Sequence, residues 1–264
     1  MYGGHGAGKT LLLQSIIGTI LPQAGTIKLF ENTDYLQEKR RIGYVPQMPF
    51  TIGRMTTSDM LHYFSLSFGT LESNLVKILG LNVYEKKPAH KLPLSVQRNL
   101  NLGIALLGNP DFVLYDEPFD GLDAKECEKL LSTIALLNEN RNITFLLTGQ
   151  NYDLVSQIAT KYGVLRNMQL LIELTPNELN EQCDRHIKIR TPQLLKAIPF
   201  LQDEFSEYEV LADDLVRVFC PLSYASALNK LLVTAGIEVS EIWISRMEQQ
   251  EYLSKLAGGE ITND

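Results

Sequence analysis

The sequence predicts an α/β fold followed by a smaller α+β module, and three observations carry that reading. A glycine-rich stretch, GGHGAGKT at 3–10, opens onto a helix-like run. An apolar strand, Phe112 to Tyr115, ends in two adjacent acids, Asp116 and Glu117. From 185 to 264 the pattern reads strand, helix, strand, strand, helix, strand, an order that suits a ferredoxin-like module. The 264 residues have room for one large domain or two modest ones, and a 45% hydrophobic content is enough to build cores. A net charge of −7 argues against broad nucleic-acid binding, which needs a basic face. Cys127, Cys183 and Cys220 are scattered without metal-ligand spacing and suit a reducing compartment.

The glycine loop fits G-x-x-x-x-G-K-[ST] at Gly3, Gly8, Lys9 and Thr10, with Gly4, His5, Gly6 and Ala7 between the fixed positions. Glycines let the backbone curl so that several N–H groups converge on phosphate oxygens. In such a loop Lys9 reaches the β- and γ-phosphates and the Thr10 hydroxyl ligates Mg²⁺, with a helix N-terminus beneath. His5 sits at a variable position of the pattern and is expected to face solvent.

The next run, LLLQSIIGTIL at 11–21, looks like the apolar core of a signal peptide, but it carries Gln14, Ser15 and Thr19. It also falls short of the roughly 20 apolar residues a membrane span needs. Its apolar positions 11, 12, 16, 17 and 20 have helical spacing, so a buried helix is predicted. With no span elsewhere, a cytoplasmic protein is expected. TTSDMLHYFSLSFG and LESNLVKILGL read as two further helices, the first capped by Thr57 or Ser58. His62 and His90 have no second ligand near them in sequence.

A buried parallel strand delivers its C-terminal residues to the ligand crevice of an α/β sheet. Asp116 is then placed to hold the Mg²⁺ shell and Glu117 to polarise the water that attacks the γ-phosphate.

With the glycine loop and the paired acids in this order, the chain resembles the nucleotide-binding subunit of an ABC transporter: a P-loop NTPase core with a helical subdomain, here about 51–108, over residues 1–180. The resemblance implies ATP and Mg²⁺ as cofactors. It implies that Gln47, in IGYVPQMPF, senses Mg²⁺ and the γ-phosphate, and that Asp123, in GLD at 121–123, crosses a dimer interface. It implies two partners, an integral-membrane permease subunit and a second ATP-binding subunit in a homo- or heterodimer. The place of action would be the inner face of the cell membrane, peripherally, and no nucleic acid is expected.

Three departures from the family pattern stand out. A strand and an adenine-stacking aromatic normally lead into the glycine loop, so an N-terminally truncated chain is expected. The signature motif is degenerate. Aligned without gaps from ALLGNP (105–110), LPLSV (92–96) places Pro93 on the serine that touches the partner's phosphate and Ser95 on a glycine, with Leu94 between. Sliding Ser95 onto the serine position requires a deletion and leaves no glycine after it. Finally, Gln150 stands where a switch histidine is expected, and glutamine can hydrogen-bond a phosphate but cannot carry a proton.

KYGVLRNMQLLIELTPNEL (161–179) resembles the strand–turn–strand that closes such cores, and the 185–264 module resembles the tails of exporters of the bacitracin-resistance and lantibiotic-immunity type. Trp243 in that module reads as core, and the module as a regulatory or dimer-contact appendage. The function expected is ATP binding and slow hydrolysis that powers a membrane exporter, with Glu117 as base and Gln150 as a weakened switch. The alternatives are a nucleotide-dependent regulatory subunit that does not hydrolyse, or a decayed fragment. A non-transport ABC ATPase acting on ribosomes or DNA is a further rival, without the tandem cassettes or coiled-coil insertion such proteins show.

Overall fold

The computed structural model describes residues 1–30, 38–70, 72–183, 185–205 and 207–258. The chain divides into two compact units, Met1–Glu173 and Leu174–Asp264.

In chain order the first unit contains α1 (Lys9–Ile16), β1 (Ile42–Val45), α2 (Thr57–Phe68), α3 (Ser73–Ile78), α4 (Leu94–Ala105), β2 (Phe112–Tyr115), α5 (Ala124–Arg141), β3 (Thr144–Leu147), α6 (Tyr152–Val155), β4 (Tyr162–Arg166) and β5 (Gln169–Leu174). Strands β1, β2 and β3 form a parallel sheet in that order, with Val45 opposite Tyr115 and Tyr115 opposite Leu147. The three strands therefore end at one level, and the residues that follow them meet there. Val113, Leu114 and Tyr115 are fully buried, which is why β2 reads as an unbroken apolar run. Its core neighbours include Met60, Leu100, Ile134 and Leu137 from the surrounding helices. Helix α4 approaches β1 so closely that a Cβ on Gly43 would sit 2.5 Å from the Ala105 carbonyl oxygen.

Met1 and Tyr2 lie between β3 and β4. Tyr2 forms parallel bridges to Gly149 and Val164. Its N–H donates to the Gly163 carbonyl at 2.7 Å, and its own carbonyl accepts from the Leu165 N–H at 2.7 Å. Alongside these two residues a cavity of about 600 Å³ opens, lined by Met1, Phe145, Leu147, Ile158 and Tyr162 among others.

Two local expectations are corrected. Helix α1 is short and ends at Ile16, burying only Lys9 and Leu13, while Leu11 is 43% exposed. The apolar spacing continues past that point, but Gly18 adopts φ 71° and the N–H groups of Gly18 and Thr19 bond back to Ser15 and Gln14, closing the helix as a left-handed glycine does. Helix α2 is capped by Thr56 rather than Thr57 or Ser58. The Thr56 hydroxyl accepts the Asp59 N–H while Asp59 accepts the Thr56 N–H, a reciprocal box only this spacing allows. Among the described residues no helix is long and apolar enough to cross a membrane.

The second unit contains α7 (Pro176–Gln182), β6 (Arg185–Arg190), α8 (Leu194–Glu204), β7 (Tyr208–Ala212), β8 (Leu215–Val218), α9 (Ala225–Thr234), β9 (Glu241–Arg246) and α10 (Gln249–Ala257). Its sheet is antiparallel in the order β7-β8-β6-β9. Ile187, Ile189, Val216 and Val218 face Ala197, Leu201, Leu228 and Leu232 of the two long helices. Arg217 on β8 is 4% exposed, and its guanidinium pairs with Glu251 of α10, one bond being Nη2 to Oε2 at 3.0 Å. Trp243 is half-buried, with the Arg190 guanidinium 5.8 Å from its ring centroid. Among the described residues no group of three or more His, Cys, Asp and Glu side chains is placed to hold a metal.

Candidate nucleotide site

The site assembles where the glycine loop meets the ends of β1, β2 and β3. Gly6 and Gly8 take φ of 74° and 97°, conformations that glycine adopts without a Cβ clash and that wind the loop into the start of α1. The loop is tied down by the Met168 N–H, which donates to the Ala7 carbonyl at 3.0 Å. Lys9, 7% exposed, donates from Nζ to the carbonyls of Gly3 at 2.6 Å and Gly4 at 3.2 Å. The same Nζ lies 2.9 Å from Glu117 Oε1.

Because β2 sits in register with both neighbours, its first residue past the strand, Asp116, comes to rest at the centre. Asp116 is 1% exposed and its backbone N–H donates to Val45 at 2.9 Å. One carboxylate oxygen accepts from the Thr10 hydroxyl at 2.7 Å and the other from the Thr148 hydroxyl at 2.6 Å. Burial first, and the Asp116 charge second, push the nearby Tyr44 phenol above its ordinary value. Glu117 adopts φ 43°, uncommon for a residue with a side chain. Behind it, Arg98 of α4, itself buried, donates to the Pro118 carbonyl at 2.6 Å and fixes the chain as it leaves the acids.

A cavity of about 320 Å³ opens above these groups, lined by His5, Gln47, Glu117, Asp120, Thr148 and Gln150 among others. Gln47 donates to Asp120 at 3.2 Å. His5 is exposed, as the variable loop position suggested, and also borders this cavity. Pro93, Leu94, Ser95 and Asp123 do not line it. Exposed Pro93 precedes α4 as its N-cap without a side-chain bond, and Leu94 is 38% exposed. The Ser95 hydroxyl donates to Glu126 at 2.6 Å, while Asp123 caps α5 by accepting the Glu126 N–H at 2.8 Å. The four are thus gathered around the first turns of α4 and α5.

The residues fit a magnesium nucleotide. Thr10, Asp116 and Gln47 offer only oxygen donors, the set a hard cation takes. Cβ atoms built on Gly4 and Gly6 meet nothing within 4 Å, so the loop's outer side is open for phosphates to approach. Thr148 and Arg98 went unnoticed in the sequence. The signal for Thr148 was a polar residue ending the apolar run ITFLLT, and only the strand register assigns it to Asp116.

Residues 1–120 match the family described as ABC transporter. The bacitracin transport ATP-binding protein BcrA of Bacillus licheniformis is 29% identical over 266 residues, covering 97% of this chain and 87% of the relative. The lantibiotic transport ATP-binding protein SrtF of Streptococcus pyogenes is 23% identical over 66% of this chain and 76% of its own length. Among solved structures, the dimeric post-hydrolysis state of the ATP-binding cassette MJ0796, bound to ADP and Pi, superposes with a TM-score of 0.58 at 20% identity. That alignment covers 66% of this chain and 83% of the other. At this identity the likeness speaks for the P-loop fold.

Proposed function

We propose that the chain, whose residues 1–120 match the ABC transporter family, is the ATP-hydrolysing subunit of a membrane exporter, with peptide antibiotics or drugs as the substrate class its relatives' names suggest. The observation that carries this reading is that the end of the glycine loop meets the acid pair through two contacts, Lys9 with Glu117 at 2.9 Å and Thr10 with Asp116 at 2.7 Å.

In this reading the loop from Gly3 to Gly8 and Lys9 would hold the β- and γ-phosphates, and Thr10, Asp116 and Gln47 would hold Mg²⁺. Bound Mg²⁺ neutralises charge on the phosphate oxygens. When Lys9 turns to phosphate its pairing with Glu117 opens, and the freed carboxylate accepts a proton from the attacking water. Gln150, on the wall of the same cavity, hydrogen-bonds the phosphate but transfers no proton. Turnover is slow for that reason. Pro93, Leu94, Ser95 and Asp123 face a second ATP-binding subunit, and Pro93 offers it neither hydroxyl nor N–H. The core spans 1–180, with 51–108 as the part that docks on a permease at the inner face of the membrane, and 185–264 is an accessory module.

Measuring phosphate release by the protein alone and co-expressed with a membrane permease tests the proposal. A rate that rises with the permease is expected, and a rate at background in both preparations overturns it.

A further inference from the structure

We infer that Thr148 is a positioning residue for the acid pair: its single hydroxyl fixes the Asp116 carboxylate and the Glu117 backbone at once. The inference rests on the reading of Glu117 as the base.

The geometry is directional. The Thr148 hydroxyl donates to Asp116 Oδ1, 2.6 Å away. That leaves an oxygen lone pair, and the Glu117 N–H donates to it at 2.8 Å. Thr148 is itself held, with its N–H on the Tyr115 carbonyl at 3.1 Å, and it is 1% exposed. The side chain therefore has one arrangement that satisfies every group around it. The contact also explains how Glu117 keeps φ 43°. A left-handed residue with a side chain persists only where its surroundings over-determine it. Here the Glu117 amide is bonded on one side of the residue, and the carboxylate is bonded by Lys9 on the other.

The bonds close a ring. Lys9 pairs with Glu117, whose amide bonds Thr148, whose hydroxyl bonds Asp116, whose second oxygen is bonded by Thr10, the neighbour of Lys9 in the chain. The metal-holding and water-activating groups are thereby set relative to each other by one hydroxyl. Displacement of a reacting group by about 1 Å can cost on the order of 10²-fold in rate.

The test compares Thr148→Val, which keeps the shape and loses the hydroxyl, with Thr148→Ser, which keeps the hydroxyl. Thr148→Ala serves as a second deletion if the valine variant does not fold. In the nucleotide-free protein, hydrogen exchange of the Glu117 amide is expected to accelerate in the valine and alanine variants and to stay at the wild-type rate in the serine variant. In MgATP, kcat is expected to fall about 10²-fold without the hydroxyl while KM holds, with serine restoring kcat. Unchanged Glu117 exchange in both deletion variants overturns the inference, as does a serine variant as slow as valine. Glu117→Gln is measured in parallel. If it turns over like wild type, the assignment of the base has failed, whereas a slow Glu117→Gln beside a wild-type-like Thr148→Val means that only the positioning role has.

Discussion

Lys9 Nζ lies 2.9 Å from Glu117 Oε1, with both groups largely shielded from water. One residue belongs to the glycine loop and the other follows a strand more than a hundred positions later, so this contact is the point at which the two halves of the site become one. Removing Lys9 leaves a carboxylate in that position without its cation and without a phosphate anchor. Lys9→Ala is predicted to raise the nucleotide dissociation constant steeply, and to lower the melting temperature of the nucleotide-free protein, since stranding one partner of a largely buried pair is costly. Titration with a fluorescent nucleotide and a thermal melt check both, and wild-type affinity in this variant would contradict the assignment.

Gln150 borders the cavity shared with Glu117 but has no group that titrates. Gln150→His is predicted to raise kcat by about 10-fold or more, within the range a positioned acid–base group contributes. Steady-state phosphate release checks this, with the rise expected only above the pH at which the new imidazole loses its proton if it acts as a base. No change at any pH would mean that this wall of the cavity takes no part in turnover.

Gly43 and Gly4 make a contrasting pair. A Cβ on Gly43 would meet the Ala105 carbonyl oxygen at 2.5 Å, backbone that cannot swing aside, whereas one on Gly4 meets nothing within 4 Å. Gly43→Ala is therefore predicted to destabilise by about 1–3 kcal/mol, as overpacking does. Gly4→Ala is predicted to leave the melt near wild type and to weaken nucleotide binding instead. Chemical denaturation of the two variants side by side checks the contrast.

In the second unit, burial opposes ionisation of Glu251, but the hydrogen bonds and charge of Arg217, aided by Lys255, outweigh it and hold the carboxyl below its ordinary 4.5. A carboxyl lowered by folding adds stability that is fully present above the unfolded value and is lost as pH falls through the folded one. The docking of α10 should weaken as pH drops below about 4.5. Trp243 is the chain's single tryptophan and lies in this unit, so its fluorescence reports the melt. Glu251→Gln is predicted to flatten the acid limb of Tm against pH, and an unchanged limb would assign the acid sensitivity elsewhere.

Much of this architecture is legible in the sequence because the chemistry is local. The glycine spacing around Lys9, the apolar run that ends at Asp116 and the βαββαβ alternation of the tail each occupy a short window. Two kinds of feature escape such reading. Helix ends turn on single backbone choices, so the apolar spacing past Ile16 suggested a longer helix than the left-handed Gly18 permits, and Thr56 rather than its neighbours caps α2. Long-range partners turn on strand register. Thr148 ends an apolar run with nothing nearby to mark it, and it becomes Asp116's partner only because Tyr115 pairs with Leu147. Arg98 escaped because its contact with Pro118, 20 positions away, depends on how α4 packs in the fold.

The most direct test of the account is MgATP hydrolysis by the purified wild-type protein beside its Glu117→Gln variant, each with nucleotide affinity measured independently. The account predicts slow but measurable phosphate release by the wild type and a loss of about 10²- to 10⁴-fold in the variant, with both proteins binding nucleotide alike. Equal, measurable rates in the two proteins at equal nucleotide affinity would contradict it.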